Sequence, residues 1–248
     1  MISQDSAKFW FPKLANHEWQ WMRDWLPKTV LVDYSEEALS PSLAGTRTEE
    51  YERLYYEVES MILDHIGYPA FIRTDLTSAK HAGVKAYKIE SCDDINHALL
   101  TTLSQAQLKS YFSKVKSSAI MVREFIRVKH ERTAFGGLPI GQEWRVFADQ
   151  ISEQCHHGYW PEEALSGHMD DGKEPSAPAL THPLGGWIYT DALDASALAA
   201  KAMGAGKWSI DFVKDVNDKV WLVDMATAGN SYHHPECPYY RLDKADRL

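Results

Sequence analysis

The stretch Ser209–Ala226, "SIDFVKDVNDKVWLVDMA", predicts a β-hairpin in which each strand carries one aspartate among apolar residues. Asn217 and Asp218 tolerate positive φ and are typical of a two-residue turn. With that turn, Asp211 lies directly opposite Asp224 in the neighbouring strand. Residues paired in this way share one face of the sheet, with Cβ atoms about 4.5–5.5 Å apart. The hairpin therefore predicts two facing carboxylates in strands that otherwise suit a core.

Two like charges at this separation destabilise a sheet unless something offsets them, and the sequence leaves three explanations open. A divalent cation is the first, because Mg²⁺ takes carboxylate oxygens together with substrate phosphates. A proton shared by the two carboxyl groups is the second. The third is a solvent-facing pair that a Lys or Arg side chain covers.

The overall composition is that of a globular protein. The chain has 248 residues, of which 44% are hydrophobic and 25% charged, with a net charge of -9. Helix and strand patterns are mixed, and late neighbours are antiparallel, which predicts an α+β fold with mixed or antiparallel sheets. The acidic balance argues against nucleic acid as a partner. Three cysteines are too few for a disulfide framework, and no signal peptide or membrane-length apolar run is recognisable, so we expect a cytoplasmic protein that is not membrane-bound.

The first 65 residues form an aromatic-rich segment that no recognisable motif covers. Four of the nine tryptophans precede residue 26. Aromatic residues are enriched at interfaces, so this Trp-rich N-terminus offers a surface for a protein partner. Thr46 and Glu49 fit a capping box at the start of a helix that ends near Gly67.

Basic residues lie in or beside strands upstream of the hairpin. In "FIRTDLTSAKH", Arg73 ends a strand and Lys80 follows in a loop of small residues, with Lys85 shortly after it. In "EWRVFAD", Arg145 lies in mid-strand. Arg and Lys are the usual phosphate ligands in proteins. These cations and the two aspartates therefore predict a site for a metal–triphosphate.

The ordered set "FIRTD…SAKH", "MVREFI", "EWRVF" and "SIDFVKD…KVWLVDMA" resembles the ATP-grasp superfamily. More narrowly, it is similar to ATP-grasp proteins of phage genomes that are related to the cell-division-cycle protein 123 (D123) group. The resemblance covers roughly residues 66–236. It implies an ATP-grasp fold in which two α+β subdomains clamp a nucleotide, with an N-subdomain at 66–128 and a C-subdomain at 129–248.

The resemblance also implies roles for individual residues, with ATP and Mg²⁺ as cofactors. Arg73, Lys80 and Arg145 match basic positions that contact phosphates and offset charge during catalysis, and Lys85 lies in the phosphate-covering loop. The hinge acid that meets adenine and ribose is Glu124, and the backbone of Phe125 and Ile126 is expected to bond the adenine edge. Asp211 and Asp224 match the two metal-binding positions.

One position departs from the pattern of the superfamily. Many ATP-grasp enzymes have a third metal ligand, an asparagine, two residues after the second acid, and here that position is Ala226. Asn230 in the next loop is a candidate substitute. His233 and His234 follow the hairpin closely and are candidates for contacting the acceptor substrate.

The resemblance implies an ATP- and Mg²⁺-dependent ligase, in which a carboxylate is activated as an acyl phosphate and attacked by an amine or thiol of a small molecule or peptide. A non-catalytic ATP-binding assembly protein similar to the D123 group is the alternative, which Ala226 favours. A nucleotidyltransferase is a second alternative, against which the acidic charge and the absence of a K-x-D-G motif speak.

Overall fold

The structure, a computed structural model, describes residues 2–39, 47–78, 82–113, 115–175 and 186–235. In chain order the helices are α1 (Ala7–Ala15), α2 (Gln20–Asp24), α3 (Glu49–Met61), α4 (Cys92–Ser113), α5 (Glu162–Leu165) and α6 (Gly186–Met203). The strands are β1 (Thr29–Asp33), β2 (Ala70–Thr74), β3 (Lys88–Ile89), β4 (Ala119–Glu124), β5 (His130–Ala134), β6 (Leu138–Gly141), β7 (Glu143–Ala148), β8 (Glu153–Gly158), β9 (Trp208–Lys214) and β10 (Val220–Thr227). This mixture of helices and antiparallel sheets confirms the predicted α+β class.

The chain divides into two compact units. Unit 1 contains the described residues of 1–26, 127–134 and 139–248, and unit 2 contains those of 27–126 and 135–138. The predicted division treats the first 65 residues as one segment. The structure instead divides that segment at residue 26, because its first part packs in unit 1 and its second part in unit 2.

Unit 2 is built on an antiparallel sheet with the strand order β1-β4-β2-β3. One sheet face is apolar and packs against α3 and α4. Its core comprises Val32, Ala70, Ile72, Ile89, Ile120 and Val122 from the strands and Tyr51, Leu54, Val58, Ile95, Leu99 and Leu103 from the helices. Burial of large aliphatic side chains contributes about 1.5–3 kcal/mol each, so this face accounts for much of the stability of the unit.

Unit 1 is built on a second antiparallel sheet, with the order β10-β9-β7-β8. The apolar face of this sheet includes Trp144, Val146, Trp208, Ile210 and Phe212, all buried. The N-terminal aromatic residues pack on it, since Phe9 stacks on Trp208 and Trp25 meets Phe212 edge-on. Alternation leaves the other face to Glu143, Arg145 and their neighbours.

Part of the Trp-rich N-terminus packs within unit 1. Trp10 is fully buried in α1, and Trp25 is partly buried against Phe212 of the sheet. Large aromatic side chains suit a core and an interface alike, and a surface for a protein partner on this segment remains a prediction.

The β9–β10 hairpin has a different turn register from the one predicted, but it still places Asp211 opposite Asp224. The two-residue turn predicts Val216 opposite Lys219, whereas the structure pairs Val220 with Lys214, which shifts the register by one residue. A bulge between Leu222 and Asp224 then shifts it back. Asp224 consequently lies opposite Asp211, as predicted, although the turn does not have the predicted register.

The structure also contains strands that the sequence analysis did not identify. β1 pairs with β4, and β5 and β6 pair with each other. Helix α3 is capped by Thr48, whose side chain accepts a hydrogen bond from the Tyr51 backbone N–H. Thr46, the predicted cap, lies outside the described residues.

Candidate functional site

The polar face of the unit 1 sheet carries a row of four side chains, one from each strand. In register across the sheet these are His157 of β8, Arg145 of β7, Asp211 of β9 and Asp224 of β10. Residues directly opposite one another share a face, so the row places a buried cation between an imidazole and two carboxylates. Asp211 is 4% exposed, and Asp224 is partly buried.

Arg145 and Asp211 form a bidentate ion pair. The Nε and Nη2 atoms of Arg145 donate to Oδ1 and Oδ2 of Asp211, each at 2.8 Å. The third guanidinium nitrogen, Nη1, donates to the Tyr232 backbone oxygen at 3.3 Å, and the guanidinium carbon lies 4.8 Å from the centroid of the Tyr159 ring. Two parallel charge-assisted hydrogen bonds fix both side chains.

This ion pair bears on the explanations that the sequence leaves open for Asp211. An arginine covers the carboxylate, as in the third explanation, but the pair is largely buried, with 13% of the Arg145 side chain and 5% of the Asp211 side chain exposed. Burial alone would lower the pKa of Arg145, whereas the carboxylate of Asp211 outweighs burial and raises the pKa above its usual range. The carboxylate of Asp224 also raises the pKa of Arg145, by a smaller amount. With Arg145 beside the carboxylates, a shared proton is not needed to keep them together.

His157 is held in one neutral tautomer. Its Nδ1 lies 2.7 Å from the Gly158 carbonyl oxygen, which can only accept, so Nδ1 carries the proton. The His234 backbone N–H donates to Nε2 at 3.4 Å, so Nε2 is the acceptor. Burial, with smaller contributions from Arg145 and the neighbouring imidazoles, lowers the pKa of His157 to about 4.

The two histidines predicted to contact an acceptor substrate differ in their surroundings. His233 is buried, its ring stacks on Phe147 at 4.1 Å, and its Nε2 lies 3.0 Å from the Cys155 sulfur. It therefore packs the sheet face next to the row. His234 is partly buried, and its backbone N–H donates to the His157 ring. A substrate contact remains a prediction for both, with His234 the more accessible.

Asn230, the predicted substitute metal ligand, is exposed in the turn after β10. Its Nδ2 donates to Asp5 Oδ2 at 2.7 Å and to Thr227 Oγ1 at 3.1 Å. These contacts give its amide nitrogen a role in holding the turn to the N-terminal segment. Metal ligation by Asn230 remains a prediction.

In unit 2, the sheet face opposite the helical core is basic. Arg73 lies opposite Met121, and Phe71 lies between Arg123 and Lys88, so the three cations share this face. Arg73 is 8% exposed and Arg123 is 4% exposed. Arg73 Nε donates a hydrogen bond to the backbone oxygen of Thr74 at 3.1 Å. The sequence prediction includes Arg73 in the site but not Arg123 or Lys88.

The other predicted nucleotide contacts also belong to unit 2. Glu124 ends β4, and its Oε1 accepts from the Lys28 backbone N–H at 2.7 Å. The Phe125 N–H, expected at the adenine edge, donates to the Pro69 carbonyl at 3.2 Å. Ile126 is partly buried, and Lys85 is exposed in a short helical turn. Lys80 lies outside the described residues.

The donor set of the row fits one hard divalent cation. Each carboxylate oxygen has two lone pairs, so a carboxylate that accepts a hydrogen bond can also bind a metal. Asp211 accepts from Arg145, and Asp224 Oδ1 accepts the Met225 backbone N–H at 3.1 Å. In the described part of the chain no three His, Cys, Asp or Glu side chains are arranged to hold a metal. Two protein ligands suit Mg²⁺, which usually completes its shell with water and phosphate.

Two residues near the two aspartates were missed by the sequence prediction, His157 in the row itself and Asp5 at the end of β10. His157 had a weak signal, because alternation places it on one face of its strand, but its place beside Arg145 depends on the pairing of β8 with β7. Asp5 had none, since it reaches β10 from the opposite end of the chain.

Comparison with known proteins finds likeness only at the level of structure. No family model matches the sequence, and no curated protein matches it. Two solved structures of Cdc123 from Schizosaccharomyces pombe, one of them C-terminally truncated, each superpose with a TM-score of 0.56 and 11% identity, covering 92% of this chain and 86% of that chain. The chain has an ATP-grasp-like fold related to that of Cdc123.

This fold confirms the resemblance predicted from the motifs, and at 11% identity the likeness shows the fold alone. The ADP complex of N5-carboxyaminoimidazole synthetase from Staphylococcus aureus superposes less well, with a TM-score of 0.49 and 10% identity over 93% of this chain and 46% of that chain. At that score it supports no inference about this protein. None of the helices in the described part of the chain is long and apolar enough to span a membrane.

The depressed pKa of His157 predicts a pH-dependent stability. The unfolded imidazole takes up its proton near pH 6.5 and the folded one near pH 4, so between these values the unfolded state binds more protons. The free energy of unfolding should therefore fall as pH drops from 6.5 to 4. A difference of this size corresponds to a loss of about 3 kcal/mol from this group.

Urea denaturation at several pH values tests this prediction. His157→Asn keeps a donor for the Gly158 carbonyl and removes the titrating ring, so its unfolding free energy should be lower at pH 7 but should change less between pH 6.5 and 4. The control is His97→Asn at an exposed position of α4, which should keep the wild-type slope. An unchanged slope in His157→Asn would contradict the assignment.

Proposed function

We propose that the protein binds ATP with Mg²⁺ and acts as an ATP-grasp ligase, activating a carboxylate as an acyl phosphate for attack by an amine or thiol. One observation carries the proposal: Asp211 and Asp224 face each other on the polar side of a sheet in an ATP-grasp-like fold. Two unit charges about 5 Å apart repel by about 3 kcal/mol at an effective dielectric constant of 20. Arg145 offsets this repulsion from the side of Asp211, and a metal ion held between the two carboxylates would offset it at both.

In this proposal the two aspartates hold Mg²⁺. When bound, the ion supplies charge neutralisation at the phosphates, which is the main requirement of phosphoryl transfer. Arg145 pairs with Asp211 and fixes the plane of its carboxylate through the two 2.8 Å hydrogen bonds. The contacts to phosphates and adenine expected for Arg73, Lys80, Lys85, Arg145, Glu124, Phe125 and Ile126 remain predictions.

A non-catalytic ATP-binding assembly protein is the second candidate, and Ala226 favours it. Ala226 lies on the same sheet face as Asp224 and is paired with Ser209. Its side chain is a methyl group, which cannot bind a metal. If catalysis by ATP-grasp ligases requires a third ligand or a second ion, this chain would bind nucleotide without turnover.

Metal-dependent binding is the first prediction of the proposal. Calorimetry should show that Mg²⁺ strengthens ATP binding by the wild type, and that Asp224→Asn removes at least tenfold of this gain, since an amide is neutral and a weaker ligand. The Asp211→Asn/Asp224→Asn double variant should lose the Mg²⁺ effect entirely.

Asp218→Asn is the matched control. Asp218 lies in the same hairpin, is exposed, and pairs with Lys129 and Lys214 at the surface, so this variant should bind Mg·ATP within twofold of the wild type. The metal hypothesis is wrong if the double variant binds Mg·ATP as tightly as the wild type.

The products of turnover separate the three candidate functions. A ligase incubated with Mg·ATP and pooled amino acids and small peptides should release ADP and phosphate, measured by HPLC. Release of AMP or pyrophosphate would instead support a nucleotidyltransferase. Tight Mg·ATP binding with no turnover in any pool would contradict the ligase and support the assembly protein.

A further inference from the structure

The N-terminal strap, which we define as the described residues 2–26, holds β10 at the end that follows Asp224. Asp5, just before α1, accepts three hydrogen bonds there. Its Oδ1 accepts from the backbone N–H and the Oγ1 of Thr227 at 2.8 and 2.7 Å. Its Oδ2 accepts from Asn230 Nδ2 at 2.7 Å. A carboxylate with three donors is a strong anchor, because charge-assisted hydrogen bonds are about twice as strong as neutral ones.

The strap also holds β10 on the other side of Asp224. The Trp25 carbonyl accepts the Leu222 backbone N–H at 2.9 Å. Because β10 is an edge strand, it has a sheet neighbour only in β9. The contacts at Leu222 and Thr227 therefore supply partners to the outer side of this strand, on both sides of the second carboxylate.

Packing reinforces the contact made by Asp5. Thr227 lies opposite Trp208 in the register of the hairpin. The ring of Phe9 in α1 stacks on Trp208, with centroids 6.0 Å apart and an angle of 9° between the planes. Asp5 and Phe9 thus hold the two members of one cross-strand pair. The strap fixes the end of the hairpin as a unit.

Asp224 has particular need of such support. It follows the bulge at Leu222/Asp224, where the ladder between β9 and β10 is interrupted and the strand is bent. A carboxylate that binds a metal must be held within about 0.5 Å of its productive position. Support for the strand on either side of the bulge would supply this precision.

We propose that Asp5 is a positioning residue for the metal-binding carboxylate of Asp224. This inference rests on the proposed function for its effect on Mg·ATP. Its structural part, that Asp5 immobilises the strand around Asp224, stands without nucleotide. The strap then has a role in the site although none of its residues belongs to the ATP-grasp motifs.

The test compares graded variants of Asp5. Asp5→Ala removes all three acceptor interactions. Asp5→Asn keeps an oxygen for Thr227 but loses the contact with Asn230, because its NH₂ group then faces the Nδ2 donor of Asn230. Loss of a residue that orients a metal ligand typically weakens metal binding by 10- to 100-fold. We expect Asp5→Ala to bind Mg·ATP about tenfold more weakly than the wild type, with Asp5→Asn in between, and both to bind ATP in EDTA within twofold of the wild type.

Two controls separate positioning from general loss of stability. Asp24→Ala changes another aspartate of the strap, which bonds Gln20, and should leave both affinities unchanged. Leu165→Ala empties a buried site in α5 and should lower the unfolding temperature without changing the effect of Mg²⁺. If Asp5→Ala behaves like Leu165→Ala, losing stability while keeping the wild-type affinity for Mg·ATP, the inference is overturned.

Amide hydrogen exchange in the metal-free protein supplies a readout that does not depend on nucleotide. We expect the amides of residues 224–227 to exchange about tenfold faster in Asp5→Ala than in the wild type, and those of β7 to be unchanged. Wild-type exchange rates at 224–227 in Asp5→Ala would overturn the inference. If the wild type shows no Mg²⁺ effect on ATP binding, the proposed function fails, and the exchange rates alone decide whether Asp5 holds this strand.

Discussion

The ion pair between Arg145 and Asp211 is the interaction on which the polar face of unit 1 depends. Two carboxylates face each other across β9 and β10, and the guanidinium beside Asp211 offsets their repulsion. Removal of one partner from a buried ion pair leaves an uncompensated charge and typically costs about 3–5 kcal/mol. The neutral state of His157 follows from the same arrangement, since burial and the adjacent cation both oppose its protonation. Arg145 thus pairs with one neighbour, Asp211, and adds a smaller contribution to the burial that keeps the other, His157, neutral.

The two units use their sheets in the same way. In each, alternation along the strands assigns one face to an apolar core and leaves the charged residues to the other. Unit 2 places Arg73, Arg123 and Lys88 on its polar face, and unit 1 places the row of His157, Arg145 and two aspartates. This separation explains why charged residues occur in strands that otherwise have core composition.

The sequence predicts the motif-bearing strands and the long helices well, because hydrophobic periodicity and turn residues are local signals. It also predicts the facing aspartates, but partly because two deviations compensate: the turn shifts the register by one residue, and the bulge before Asp224 shifts it back. Features that depend on distant pairing were not predictable. The contact of Asp5 with Thr227, for example, joins residues at opposite ends of the chain. The packing of Trp10 and Trp25 within unit 1 was not predictable either, because a tryptophan-rich composition does not distinguish a core from an interface. β1 was missed for a different reason, since its β-branched residues are typical of a strand and the pattern was overlooked.

The central claim is that the facing carboxylates bind the metal of a metal–nucleotide complex. A crystal structure of the protein with Mn²⁺ and a non-hydrolysable ATP analogue, with anomalous scattering to locate the ion, tests it most directly. The account predicts one anomalous peak within about 2.0–2.3 Å of oxygens from both Asp211 and Asp224, with phosphate oxygens completing the shell. Nucleotide bound with its metal away from both aspartates would contradict the account. An ion pair between Arg145 and Asp211 that excludes the metal from this row would contradict it as well.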